Sequence, residues 1–274
     1  MLLINDNIAA LGAQNNLDAT DTAMQSVVGQ LSSGLQIQTA ADNPAGYSIA
    51  QSLQSEINGY SAAESNAQTA VSVLQTAQGA MNQQEAILQQ ANTIATQAAN
   101  TTTDNGTANK ADTAEFQSLV AQLDQIAQST TYAGVSLLNT SNTLTFQVGP
   151  DASNSSDTVA VNLVNTSASS LLGSAALDLN SVADAQTAMT TVQAAINTLA
   201  SAAASLGSSQ NQIQALSNNV TVAQQNLTSA HADLVDVNVA SATSQFTSLQ
   251  ILEQSGISVL SQAQQLPQLA LKLI

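Results

Sequence analysis

The chain has 274 residues, enough for a sizeable core, but only 2% are aromatic and Trp is absent, so its core is expected to be Ala, Leu, Val and Ile in closely packed helices. Two Lys and no Arg stand against 18 carboxylates, a net charge of -16 that excludes phosphate-binding and anionic-membrane surfaces. With no Cys, a disulfide framework, a thiolate metal site and a cysteine nucleophile are all excluded.

The first predicted element is a helix from about Asn5 to Leu35. Leu17, Met24, Val28, Leu31 and Leu35 are spaced as one apolar seam. The preceding run, MLLINDNIAALGAQNNL, has no basic flank and is interrupted by Asn5, Asp6 and Asn7, so no cleaved secretory signal is expected. Between Gln38 and Tyr47 the pattern lapses, and Asp42-Asn43-Pro44-Ala45-Gly46 predicts a connecting loop.

A second long helix is predicted from Ile49 to Ala99, using Val71, Leu74, Met81, Ile87, Leu88 and Ile94, and stopped by Thr101 to Gly106. A third spans Ala111 to Ser129 with Phe116, Leu119, Val120, Leu123 and Ile126. The period then shortens. Residues 134–138, 143–149 and 157–164 are short, β-branched or apolar runs separated by turn residues, which predicts a small β-hairpin region over about 134–165.

A fourth helix is expected from Ser181, capped with Asp184, to about Ala230, using Val192, Ile196, Leu199, Leu206, Ile213, Leu216, Val220 and Leu227. The last carries a seam at Leu249, Leu252, Gly256, Val259, Ala263 and Leu266, perturbed by Pro267 and followed by Lys272. No stretch approaches a membrane span. The fold class is thus mainly α: long antiparallel helices in a coiled-coil-like bundle, a small β-hairpin region, and paired N- and C-terminal helices.

Residues capable of chemistry are few. His231 is the one His, and Asp233, two positions on, points away from it on a helix. Asp233 and Asp236 read as a solvated face, and Asp151 with Asp157 supplies too few ligands for a calcium loop. No catalytic, cofactor or metal site is expected. With so few cations, the carboxylates are expected to have unshifted or raised folded pKa values, except where hydrogen bonds or helix N-termini assist, and so to tolerate acid.

Five stretches resemble the bacterial flagellin family, in family order. They are LSSGLQIQTAADNPAG at 31–46, INGYSAAESNAQTAVSVLQTAQGAMN at 57–82, TTYAGVSLL at 130–138, NLTSAHADLVDVNVA at 226–240 and SVLSQAQQLPQLALKLI at 258–274. The resemblance covers nearly the whole chain and implies a short form without variable outer domains. It implies a terminal filament-core domain from 1–42 and 234–274, and an outer-shell helical domain from 43–233. It also implies an extracellular subunit that polymerises with itself for swimming. Implied partners are an export chaperone, a filament cap and hook-junction proteins, with no nucleic acid or membrane. A hook–filament junction protein and a secreted coiled-coil adhesin are the alternatives.

The departures from the family pattern are mostly lost cations: family Arg positions match Gln36, Ser65, Gln90, Asn92, His231 and Asp233, and a family Lys matches Ala41. By the same resemblance, positions contacted by animal Toll-like receptors match Asn92, Ile94 and Gln122, so receptor activation is expected to be weak.

Overall fold

The computed structural model describes residues 7–100, 108–151, 155–173 and 178–271, without the side chains of 108, 155 and 266–271. Its helices are α1 (Ile8–Ser33), α2 (Pro44–Ala98), α3 (Ala108–Ser129), the short α4 (Ala168–Leu171), α5 (Val182–Val235) and α6 (Val239–Leu271). Between α3 and α4 lie β1 (Thr131–Tyr132) paired antiparallel with β2 (Val135–Ser136), and β3 (Asn142–Gln147) paired antiparallel with β4 (Thr158–Leu163). The fold is the mainly helical one expected, with two small two-stranded sheets.

Side chains at the helix ends account for the boundaries. Helix α1 stops two residues before the expected Leu35 because Gly34 takes a left-handed φ of 77° and donates to the Gln30 carbonyl at 2.9 Å. Helix α2 begins at Pro44, five residues before the expected Ile49, which corrects the predicted loop. Proline suits a first helical position, and Asn43 Oδ1 accepts from the Gly46 amide at 2.9 Å. Ser181 accepts from the Asp184 amide at 3.2 Å and donates to its carboxylate at 2.7 Å, so the predicted cap holds. Helix α5 continues past Ala230 to Val235, and α6 continues through Pro267 to Leu271. The predicted stop at 101–106 lies outside the described residues.

The chain divides into two compact units, Asn58–Gln225 and Met1–Ile57 with Asn226–Ile274. In the first, ten buried positions of α2 alternate steps of three and four: 67, 70, 74, 77, 81, 84, 88, 91, 95 and 98. Helix α5 repeats the rhythm from Ala185 through Val192 and Leu199 to Leu206. That is the 3.5-residue period of a coiled-coil seam. Phe116, Leu123 and Ala127 of α3 and the inward residues Val159, Val161 and Leu163 of β4 complete the core. Most α2 seam positions are Ala, while the expected Val71 and Ile87 are only half-buried.

One seam position is polar. Gln84 is fully buried, and its Nε2 donates to the carbonyls of Leu123 and Thr166, each at 3.2 Å, tying α2 to α3 and to the segment after β4. Its Oε1 has no hydrogen-bond partner among the described residues.

Candidate assembly interface

The second unit is built on the two chain ends. Helices α1 and α6 run antiparallel: Asn7 meets Ala263, Leu17 meets Gly256, and Leu35 forms a backbone bridge with Asp236. The bridge is held by Gln36 N–H donating to Val235 O at 2.7 Å and Val237 N–H donating to Gly34 O at 2.9 Å. A Cβ placed on Gly256 would sit 3.3 Å from Leu17 Cδ1, so glycine there lets the helices approach closely. At the far end, Asn7 caps α1 by accepting from the Ala10 amide at 3.1 Å and donates through Nδ2 to the Ala263 carbonyl at 2.7 Å.

The predicted seam residues are partly brought together. Leu17, Leu249, Leu252 and Val259 line one groove between α1 and α6. Met24, Leu31 and Leu35 are half-buried. Val28, Leu252 and Val259 remain 46%, 56% and 52% exposed, and the side chain of Leu266 lies outside the described residues. The buried contacts are smaller residues: Val27, Ala242 and Ala263. The heptad spacing identified the right helices, but it could not distinguish a side chain facing α6 from one facing solvent.

The pair therefore leaves much apolar surface uncovered. Ile8, Leu11 and Val28 of α1, and Val239, Ile251, Leu252, Ile257 and Val259 of α6, are all exposed large hydrophobics. On α6 these positions are spread around the helix instead of forming one stripe. Large apolar side chains on several sides of a helix are stabilised when those sides are buried, and α1 covers only one of them. Large apolar side chains left open on both helices of the pair make it a candidate interaction surface.

Charge plays a small part here. Asp42, in the turn between α1 and α2, accepts from the amides of Thr39 at 2.8 Å and Gln38 at 3.1 Å and from the Thr39 hydroxyl at 3.1 Å. The Thr39 and Gln38 amides, then the Thr39 hydroxyl, hold its carboxyl below the ordinary carboxylate value. His231 is half-buried on α5, and Asp233 is exposed. Among the described residues no three His, Asp or Glu converge as metal ligands, and no helix is long and apolar enough to cross a membrane.

The three receptor-matching positions do not form one surface. Ile94 is in the core of its unit at 7% exposure. Asn92 is half-buried, with its carbonyl accepting from the Thr96 hydroxyl at 2.7 Å. Gln122 is exposed on α3.

Comparison with known proteins accounts for both ends together. The family profile described as the bacterial flagellin N-terminal helical region matches residues 4–143, and that of the C-terminal helical region matches 189–274. A flagellin of Halalkalibacterium halodurans is 31% identical over the full length of both chains. The B-type flagellin of Pseudomonas aeruginosa is 38% identical over 62% of this chain, which spans 34% of that longer protein. The crystal structure of Bacillus cereus flagellin superposes with a TM-score of 0.51 at 31% identity, covering 61% of this chain and 94% of that one. With more than half the chain under one family profile and a relative matched from end to end, the chain belongs to the bacterial flagellin family.

Proposed function

We propose that the chain is the structural subunit of an extracellular flagellar filament and polymerises with copies of itself through α1 and α6. The observation that carries this reading is the apolar surface left open around α6 in a chain matched to flagellin at both ends. A surface that joins a different patch on the next copy, without closing into a ring, generates an open helical polymer. Rotation of that polymer by a motor would produce swimming.

Residues 1–42 and 234–274 form the filament core in this reading, and 43–233 form the outer shell with hairpins at about 134–165. That the two chain ends share a compact unit supports a terminal domain, although that unit also takes in 43–57 and 226–233. An export chaperone, a filament cap and hook-junction proteins are the further partners. The role is structural rather than enzymatic. The absence of a guanidinium at Asn92, and the placement of Ile94 in the core, support weak activation of Toll-like receptors.

Electron microscopy of the purified protein tests the reading: tubular filaments with a central channel are expected. Removing the chain from Leu249 onward should abolish them while leaving the Asn58–Gln225 unit folded. Filaments of normal form from that truncation would exclude assembly through α6.

A further inference from the structure

Pro267 lies within α6, which continues to Leu271. Proline has no amide hydrogen, so the carbonyl four residues earlier loses its intrahelical donor. That carbonyl belongs to Ala263, a buried residue at 6% exposure. A buried carbonyl without a donor is destabilising. Here the donor comes from the opposite end of the chain, through the Asn7 Nδ2 contact at 2.7 Å.

The same side chain caps α1 through Oδ1. Asp would cap as well, but its carboxylate offers no donor to α6. Asparagine is therefore suited to both tasks at once. The neighbouring part of the contact is mainly aliphatic and small, around Leu17, Leu249, Leu252, Gly256 and Val259, while the part nearer the bridge also carries Ser26, Gln30, Ser241 and Gln245. Away from the bridge, apolar side chains alone fix the register only weakly, whereas one polar partner in an apolar seam specifies it. With two Lys and no Arg in the chain, ion pairs contribute little to alignment.

We propose that Asn7 and Pro267 act together as a register clasp. The proline opens a carbonyl in α6, the asparagine at the start of α1 occupies it, and the clasp aligns the terminal pair for contact with neighbouring copies. The backbone bridge at Leu35 and Asp236 holds the near end, and the clasp holds the far end. This inference rests on the self-assembly reading above, with Asn7 as a positioning residue.

The test compares the full native chain with Asn7→Asp, Pro267→Ala and the double variant. Asn7→Asp keeps the cap and removes the donor. Pro267→Ala returns an intrahelical donor to the Ala263 carbonyl. Register is read by disulfide trapping, with Leu17→Cys paired with Gly256→Cys or, one turn away, with Leu252→Cys, since the chain has no other thiol. Assembly is read as the critical concentration by sedimentation, without the cysteines.

Asn7→Asp should shift trapping from 256 toward 252 and raise the critical concentration roughly five-fold, the equivalent of one hydrogen bond. In the Pro267→Ala background the same change should alter either readout by less than about two-fold, because the carbonyl then has its own donor. Unchanged trapping in Asn7→Asp, or an equal effect in both backgrounds, would overturn the clasp. If the native chain forms no polymer at any concentration, the assembly reading fails, and the trapping ratios in the soluble chain decide the clasp alone.

Discussion

Replacing Ile251 by Ser measures how much of the polymer's stability comes from the uncovered side of α6. Ile251 is 63% exposed in the subunit. Burying an Ile completely contributes about 1.5–3 kcal/mol, so covering the exposed fraction in a filament contributes roughly 1–2 kcal/mol per subunit. At about 1.4 kcal/mol per factor of ten, the critical concentration of Ile251→Ser should rise roughly 5- to 25-fold. The subunit itself should change little, because Ser and Ile have similar helix propensities and most of the side chain faces water. Gln250→Ser, at an exposed polar neighbour, serves as the reference. The assay is sedimentation across a dilution series, with circular dichroism to confirm equal helix content. A critical concentration for Ile251→Ser equal to that of Gln250→Ser would refute burial of this face in the polymer.

Gln84→Ala should destabilise the Asn58–Gln225 unit by about 2–4 kcal/mol, through a cavity and two lost hydrogen bonds. Gln84→Leu should cost less than about 1.5 kcal/mol, since it keeps volume and removes a buried acceptor without a partner; denaturant titration separates the two. Asp42 has a folded pKa below its unfolded value, so its contribution is fully present above the unfolded value and is lost as pH falls through the folded one. Carboxyl NMR should show Asp42 titrating below the ordinary Asp range, and Asp42→Ala should narrow its gap to the native chain only in that acid window. In a reporter assay for Toll-like receptor activation, the chain should respond more weakly than a flagellin bearing Arg at the position of Asn92; an equal response would exclude the loss of Arg as decisive.

Local chemistry was enough to place most of the helices and strands. The cap at Ser181 and the alternation in 143–149 and 157–164 act within a few residues, so they can be read without knowing the neighbours, whereas the stop at Gly34 and the cap at Asn43 are not among the predicted boundaries. Boundaries departed from that reading at Gly34, at Pro44 and beyond Ala230, and α6 runs on through Pro267. Proline is tolerated in a first turn, and at 267 a residue from the other end of the chain serves the freed carbonyl.

Periodicity showed which residues share a helix face, but not what the face meets. Seam residues such as Val28, Leu252 and Val259 carry the spacing of buried positions and stay open, while Val27, Ala242 and Ala263 form the contact. Alanine carries almost no hydrophobic signal, so the α2 seam at 67, 70, 77, 91, 95 and 98 was invisible until α3, α5 and the strands were set against it. Gln84 reads as a surface residue until the Leu123 and Thr166 carbonyls are brought to its amide. The pairing of Asn7 with Ala263 joins positions 256 residues apart. Composition and period established long helices poor in aromatic residues and ionic contacts. Only the tertiary structure decided which faces close on each other and which stay open, because burial depends on the facing surface as well as on the residue.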